Sequence, residues 1–302
     1  MTTVWITGVN GFTGQHLVRY LAARPEKLSL VGLGRAQEPA IKLDHYYSLD
    51  ITQVDAVREA ARKTPPAIVI HAAAAMPPAS DAEMWHVHAG GVVGLMRGLA
   101  AAAIGDVRVL NIGSAAEYLK SASGFLRESD PCGGENTYGR SKWAQTVLAQ
   151  ELGRQFKIPV MVARTFNLLG PGLPNKWVAA SLCAQFAQTD PSEVKVGNTK
   201  SERDFLDIRD AVAAYWAIAT SGQPGESYNV CTGAPTSIEE LLRVCSQMSG
   251  GIHTIKVDEA RFRNVDLDRV YGDSSKLRSE LGWAPRISFS DSLAEMFAEA
   301  RK

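Results

Sequence analysis

Tyr138 and Lys142 stand four residues apart in the stretch Asn136-Thr-Tyr138-Gly-Arg-Ser-Lys142. If the segment is helical, that spacing puts a phenol and an ammonium on one face, neighbours across a single turn. Such a pair suits proton delivery, because the positive charge favours the phenolate and lowers the tyrosine pKa. Tyr-x-x-x-Lys also arises by chance on solvated helix faces, so its meaning depends on what surrounds it.

A second stretch carries different chemistry. Gly8-Val-Asn10-Gly11-Phe12-Thr13-Gly14 sets three glycines at three-residue intervals, between a short apolar run over 3–7 and a helical pattern from Gln15 onward. Glycine allows a tight turn and close backbone approach, and a helix N-terminus attracts a pyrophosphate, so a dinucleotide site is expected at these residues. A glycine-rich turn that holds no ligand is the alternative. The next strand pattern, 28–34, ends in Gly34-Arg35. A carboxylate at that place grips the 2′-hydroxyl of NAD, whereas an arginine matches a 2′-phosphate through bidentate bonds. Arg35 therefore favours NADP(H) over NAD(H), against the plainer reading of a solvated loop arginine.

The elements that must position these groups follow from periodicity. Short apolar strands are expected at 47–51, 67–75, 107–114 and 160–164, with helices at 52–63, 82–103 and 138–155 between or after them. This alternation predicts an α/β fold, a Rossmann-type doubly wound parallel sheet. In such a sheet the carboxyl ends of the strands face the ligand crevice, which puts Ser114 at the cofactor edge. After Arg164 the pattern breaks into a loop, a helix over 176–188, a mixed segment over 201–208 and a helix over 210–219. Residues 1–168, joined by about 205–230, are expected to form the NADP-binding domain. A smaller, partly discontinuous C-terminal lobe from about 169–204 and 231–302 is expected to bind substrate.

Composition excludes several classes. The 302 residues are 45% hydrophobic and 21% charged, with 32 basic against 32 acidic side chains, so no footprint for nucleic acid or an anionic membrane is present. Cys132, Cys183, Cys231 and Cys245 are dispersed with no Cys-x-x-Cys, which points to free thiols in a reducing compartment. The six histidines lack ligand-like spacing, so no metal is expected. The chain opens without a basic segment leading into an apolar one, and no run of about 18 apolar residues occurs. A cytoplasmic location is expected.

With these pieces assembled, the sequence resembles the extended short-chain dehydrogenase/reductase family, in the branch that modifies nucleotide sugars. The likeness rests on Thr7-Gly8-Val-Asn-Gly11-Phe12-Thr-Gly14, on Ser114, and on the Tyr138–Lys142 pair, and it extends over essentially the whole chain. It implies that Tyr138 is the general acid or base, that Lys142 lowers its pKa and holds the nicotinamide ribose, and that Ser114 hydrogen-bonds the reacting oxygen. It further implies that Asp50 and Ile51 flank the adenine, that Ala72, Ala73 and Ala74 line the cofactor, and that Phe166 and Asn167 lie near nicotinamide and substrate.

The same resemblance narrows the reaction. Relatives that dehydrate or decarboxylate the sugar carry acidic residues within two positions of the serine or threonine; here Ala115 and Ala116 follow Ser114, and alanine moves no proton. Relatives that epimerise at C3 and C5 use a cysteine and a histidine where Ala116 and Gly172 stand. What remains is one hydride transfer and one proton. The C-terminal half resembles the GDP-4-keto-6-deoxy-mannose reductases, through Val196-Gly-Asn198, Arg203-Asp-Phe-Leu-Asp207-Ile-Arg-Asp210, Arg263-Asn-Val-Asp266 and Leu281-Gly-Trp283-Ala-Pro285. NADPH-dependent reduction of the C4 ketone of a GDP-linked 6-deoxyhexose is therefore the expected activity. An NAD-retaining 4-epimerase and a non-catalytic NADP-binding regulator are the alternatives. On the substrate side the likeness assigns Ser114, Ala115, Asn167, Lys176, Val196, Arg203, Arg263 and Asp266, with the two arginines as diphosphate clamps unless they pair with Asp204 or Asp266. It implies a nucleotide-diphosphate sugar as ligand and a homodimer through the helices at about 82–103 and 138–156. Two positions depart from the family pattern: His88 replaces an asparagine, where it either relays protons or packs, and Asn264 replaces a proline.

Overall fold

In the computed structural model, which describes residues 1–258, 260 and 268–302, the predicted alternation is the fold. Strand β1 (Thr2–Thr7) feeds α1 (Phe12–Ala22), and β2 (Leu28–Gly34), β3 (His45–Ser48), α2 (Val54–Lys63) and β4 (Ile68–His71) follow. The next helix has three parts: α3 (Asp81–Trp85), a π turn (His86–Gly90) and α4 (Gly91–Ala102). Then come β5 (Arg108–Ser114), a 3₁₀ turn (Ala115–Glu117), β6 (Phe125–Leu126), α5 (Thr137–Phe156) and β7 (Val160–Thr165). The remaining elements are β8 (Asn167–Leu169), α6 (Val178–Phe186), β9 (Glu193–Val196), β10 (Glu202–Asp207), α7 (Ile208–Ser221), β11 (Ser227–Val230), β12 (Pro235–Ser237), α8 (Ile238–Ser249), β13 (Thr254–Val257), β14 (Arg269–Gly272), α9 (Ser275–Leu281) and α10 (Phe289–Ala300).

Seven parallel strands form the main sheet in the order β11-β7-β5-β4-β1-β2-β3. Successive strand residues point to opposite faces, so each strand supplies both cores. Val4 and Ile6 pack with Leu17 and Leu21 of α1 and Val212 and Tyr215 of α7. Trp5, Val31 and Val69 pack with Val57 of α2, Leu95 and Leu99 of α4, and Leu152 of α5. α4 packs closely on α2 and the turn before it because its facing residues are small: a Cβ on Gly98 would stand 2.5 Å from Val57 Cβ of α2, and one on Gly94 2.2 Å from the Ile51 carbonyl oxygen. That close packing also explains Ile51, which is buried beneath α4.

Several elements differ from the sequence expectation. The expected strand over 67–75 is Ile68–His71, and β11 has no counterpart among the expected strands. β3 ends at Ser48, leaving Asp50 and Ile51 in the turn that follows. The expected single helix over 82–103 carries the π turn, and the expected helix over 176–188 is Val178–Phe186. Among the described residues, no helix is long and apolar enough to cross a membrane, and no three His, Cys, Asp or Glu side chains form a metal-binding set. All four cysteines are free.

The C-terminal lobe is built from separated segments. β10 pairs antiparallel with β12 and parallel with β14 and β8, and β9 pairs with β13. α6, α8 and α10 enclose a third core containing Leu182, Phe186, Leu241, Leu242, Leu293 and Phe297. Three carboxylates spaced three residues apart tie these segments together. Asp204 accepts hydrogen bonds from the backbone N–H groups of Thr232 and Gly233, both 2.8 Å, and from the Thr232 hydroxyl at 2.7 Å. Asp207 caps α7 and reaches Ser292 Oγ of α10 at 2.7 Å. Asp210 accepts from the N–H groups of Arg286 and Ile287 at 2.9 and 2.8 Å.

Candidate active site

Ser114 closes β5 and caps the 3₁₀ turn that follows. Its hydroxyl accepts from Ala116 N–H at 3.1 Å, while its own N–H donates to Glu117 Oε1 at 2.7 Å. This reciprocal arrangement is a capping box, Ser-x-x-Glu, and it aims the short turn and the serine together. Two glycines make room for it. A Cβ on Gly113 would sit 2.3 Å from Glu117 Oε1, and one on Gly139 would sit 2.2 Å from the Ala116 carbonyl oxygen. Gly139 thus lets the first turn of α5, which carries Tyr138, come up against Ser114. Asn136 starts that helix, its Oδ1 accepting from Gly139 N–H at 2.9 Å, and Thr137 Oγ1 fastens it to Asp81 at 2.9 Å.

Tyr138 and Lys142 lie on one helical turn as the spacing predicts, but their electrostatics differ from the expectation. Lys142 is buried and turned inward, donating to the Ile112 carbonyl and to Gln145 Oε1, both at 2.5 Å. Burial pushes it down to about 8, with Glu117 pulling the other way. Tyr138 is half-buried with its hydroxyl end surrounded by protein, and burial raises it to about 12, although the Ser114 side chain hydrogen-bonds it and lowers it. The ammonium therefore does not dominate the phenol; desolvation does.

His88 sits where the π turn directs it, at the edge of the Tyr138 ring, with centroids 5.7 Å apart. Its Nε2 accepts from Ala75 N–H at 3.1 Å, so its proton is on Nδ1, 2.8 Å from Ser141 Oγ. Ser141 in turn donates to the Tyr138 carbonyl at 2.9 Å. Both ring nitrogens are engaged, and burial together with Lys142 lowers His88 to about 3. This geometry braces α5 against the β4 loop and leaves no imidazole nitrogen for a relay.

Glu117 escapes notice among the sequence candidates, although Ser-x-x-Glu is a readable signal. It is fully buried, its Oε2 3.3 Å from Arg164 Nε, and burial raises its pKa against the pull of Arg164, Lys142 and the Ser114 N–H. Its carboxylate lies behind the serine, held by donors, so the acidic residue three places after Ser114 does not restore the acid or base that Ala115 and Ala116 lack.

The glycine turn forms a cradle. Gly8 has φ +67°, and a Cβ there would meet the Ala73 backbone at 2.7 Å; one on Gly14 would meet the Gly8 carbonyl at 2.4 Å. The first turn of α1, including Phe12 and Thr13, has no side-chain cap and no acidic residue, so its N–H groups are open to an anion. This arrangement fits a pyrophosphate. Ala72, Ala73 and Ala74 follow β4, Ala73 N–H bonding Thr7 Oγ1 at 3.1 Å. Asn10 acts on the chain itself: its Oδ1 accepts from Ala40 N–H at 2.8 Å, and its Nδ2 reaches the Glu38 carbonyl at 3.3 Å, pinning the loop that carries Arg35. Arg35 is exposed and 3.5 Å from Glu83. Asp50 is partly buried, yet its pKa is lowered, with the Thr52 N–H donating to its Oδ1 at 2.9 Å and His86 3.8 Å away.

The substrate-side candidates are less concentrated. Asn167 Nδ2 bonds the Asp204 carbonyl at 3.2 Å, and Lys176 Nζ bonds the Pro77 carbonyl at 3.1 Å, joining the lobe to the β4 loop. Arg203 Nη1 bonds the Glu202 carbonyl at 2.8 Å, and Asp204 is occupied by Thr232, Gly233 and Gly272. Val196 is buried at the end of β9. Phe166 is buried in a small core with Tyr118, Leu126 and Cys231. Arg263, Asn264 and Asp266 lie outside the described residues.

Comparison with known proteins agrees with this geometry. A profile described as the NAD dependent epimerase/dehydratase family matches residues 4–231. GDP-6-deoxy-D-mannose reductase of Pseudomonas aeruginosa is 28% identical over 98% of this chain and 96% of its own length. GDP-6-deoxy-D-talose 4-dehydrogenase of Aggregatibacter actinomycetemcomitans is 26% identical over 92% of this chain and 91% of its own length. The solved structure of RMD from Pseudomonas aeruginosa complexed with NADPH superposes with a TM-score of 0.85 at 28% identity, covering 100% of this chain and 99% of that one.

Proposed function

The chain belongs to the NAD dependent epimerase/dehydratase family, and from that premise we propose that it is an NADPH-dependent 4-ketoreductase of a nucleotide-activated 6-deoxyhexose, with a GDP-linked 4-keto sugar as substrate. Nucleotide-sugar oxidoreduction is the coarser reading, supported by full-length relatives named for redox at C4 of such sugars. One observation carries the finer reading. Ser114 and Tyr138 meet at the carboxyl end of β5, and the side chains next to Ser114 are methyl groups, with Glu117 turned away behind it. Such a site delivers one proton to one oxygen and lacks a second acid or base for elimination or for epimerisation at C3 and C5; a C4 epimerase needs the same single proton and is told apart by the cofactor it retains.

In this reading Tyr138 gives its proton to the forming C4 alkoxide, and the Ser114 hydroxyl hydrogen-bonds the same oxygen. When bound, the reduced nicotinamide supplies the hydride that no side chain can. The uncapped start of α1 and the Gly8–Gly14 turn hold the pyrophosphate, Lys142 the nicotinamide ribose, and Arg35 the 2′-phosphate. Asp50 and Ile51 flank the adenine and Ala72–Ala74 line the cofactor. Arg203 and Lys176 are assigned to the sugar nucleotide together with Asn167, Ala115 and Val196, and Phe166 to the cofactor near the nicotinamide; the diphosphate clamp Arg263 and its neighbour Asp266 belong to the same assignment but lie outside the described residues. The same reading assigns a cytoplasmic homodimer joined through α3–α4 and α5.

The test is incubation of purified protein with NADPH or NADH and freshly generated 4-keto-6-deoxy sugars on GDP, dTDP, UDP and CDP. The expected result is fastest oxidation of NADPH with the GDP sugar. Protein that purifies with NAD and epimerises C4 without net consumption of NADPH is an epimerase instead. Binding of NADPH without turnover across the panel points to a regulator.

A further inference from the structure

Behind Lys142 lies a group of buried polar atoms that the reductase reading does not use. His71 at the end of β4 and Asn111 on β5 are register partners, both fully buried, on the side of the sheet that α5 covers. Asn111 Nδ2 is 3.4 Å from Thr146 Oγ1, and the Thr146 hydroxyl hydrogen-bonds the Glu117 carboxylate. A carboxylate can only accept, so Thr146 donates to it and accepts from Asn111, which fixes the Asn111 amide with Oδ1 on the other side. Gln145 is oriented just as firmly, because the Lys142 ammonium can only donate to its Oε1. Thr7 Oγ1 accepts from Ala73 N–H and lies 2.8 Å from His71 Nδ1; its own hydrogen goes to that nitrogen, leaving the ring proton on Nε2.

Three atoms of this group then find no hydrogen-bond partner among the described residues: His71 Nε2, Gln145 Nε2 and Asn111 Oδ1. They are two N–H donors and one acceptor. Each destabilises the fold if left unmet, and native interiors meet such groups with ordered water that makes about three hydrogen bonds. A single water accepting from His71 and Gln145 and donating to Asn111 satisfies all three.

We propose that Gln145 is the positioning residue for the Lys142 ammonium, and that it is held there by one buried water shared with His71 and Asn111. The proposal deepens the reductase reading, since it rests on Lys142 being the lysine of the site. Gln145 supplies an uncharged acceptor, so the ammonium is held without being neutralised and stays available to a ribose hydroxyl. The groups facing Lys142 are Glu117 from the 3₁₀ turn, His71 from β4, His88 from the π turn and Tyr138 on its own helix. Both histidines are held near about 3 by burial and by Lys142, so neither titrates in the range where Lys142 does.

The test reads Lys142 in the protein alone, by NMR titration of labelled lysine side chains, in the parent, Gln145→Met and Gln145→Glu. Methionine keeps the shape and removes the acceptor; the expected result is a fall of about one pH unit in the Lys142 titration and about tenfold weaker NADPH binding. Glutamate puts a carboxylate on the ammonium and is expected to raise the titration by about one unit or more. It also serves if the methionine variant does not fold. An atomic-resolution crystal structure should show one water within hydrogen-bond distance of His71 Nε2, Gln145 Nε2 and Asn111 Oδ1. An unmoved Lys142 titration in a folded variant overturns the role of Gln145, and no density at that point overturns the water. Because titration and density need no sugar, a protein that shows both yet reduces none of the sugars refutes the reductase reading and leaves this inference standing.

Discussion

The two halves of the molecule bury polar groups to opposite ends. Where the C-terminal lobe joins the sheet domain, Asp204, Asp207 and Asp210 are each saturated by backbone N–H groups, a hydroxyl or an arginine, and apart from Arg209 beside Asp207 the donors come from segments far along the chain. Around Tyr138 and Lys142, His71 Nε2, Gln145 Nε2 and Asn111 Oδ1 find no protein partner among the described residues and are left to the shared buried water. There burial also displaces the titratable groups from their usual pKa values, His71 and His88 to about 3, Lys142 to about 8 and Tyr138 to about 12. Saturated burial fixes a scaffold. Displaced pKa values gathered at the Tyr138–Lys142 turn make it the candidate place for proton transfer.

The comparison can be broken in order of expected effect. Asp204→Ala removes the acceptor shared by Thr232, Gly233 and Gly272, leaving buried donors unpaired. It should cost about 3 kcal/mol or more of unfolding free energy by denaturant titration, with NADPH affinity little changed. A loss below about 1 kcal/mol means the lobe does not depend on this staple. Tyr138→Phe is expected to behave in the reverse way: stability unchanged, turnover down on the order of a hundredfold or more. Near-normal turnover in that variant removes Tyr138 from the chemistry.

Smaller effects sharpen the contrast. Arg35→Ala should lower the preference for NADPH over NADH on the order of tenfold, read as a ratio of kcat/KM values, since a charge-assisted phosphate contact is lost. pH supplies the last test. His71 and His88 have folded pKa values near 3, below the unfolded 6.5, so their contribution is present above pH 6.5 and lost as pH falls towards 3. His88→Asn should therefore flatten the acid side of a plot of midpoint against pH. In the same terms kcat/KM for reduction should fall above pH about 8, where Lys142 loses its proton, while Tyr138 stays protonated throughout.

What the sequence discloses follows the same division. The glycine turn, six of the seven sheet strands and the Tyr138–Lys142 turn depend on near neighbours, and period and spacing report them well. The seventh strand, β11, has no expected counterpart, and boundaries differ where β3 stops at Ser48, where β4 stops at His71 and where a π turn enters the helix before α4. The staples of the lobe are invisible to spacing, because Asp204 meets Thr232, 28 residues on, and Asp207 meets Ser292, 85 residues on. The motif Arg203-Asp-Phe-Leu-Asp207-Ile-Arg-Asp210 is legible as a likeness, yet the partners of its carboxylates are not. Tyr138 shows a different limit. Proximity of a lysine argues for a lowered pKa, but burial depth is a tertiary property, and it wins. Glu117 was within reach, since Ser-x-x-Glu is a local signal; its burial against Arg164 was not.

The central claim is hydride delivery to C4 of a keto sugar with a proton from Tyr138. Its most direct test is turnover of the GDP-linked 4-keto-6-deoxy sugar with NADPH deuterated at the transferable position, followed by NMR of the product. The account predicts one deuterium per product, at sugar C4, with one NADPH consumed for each. A product with hydrogen at C4, or an epimerised sugar formed while NADPH is conserved, contradicts it.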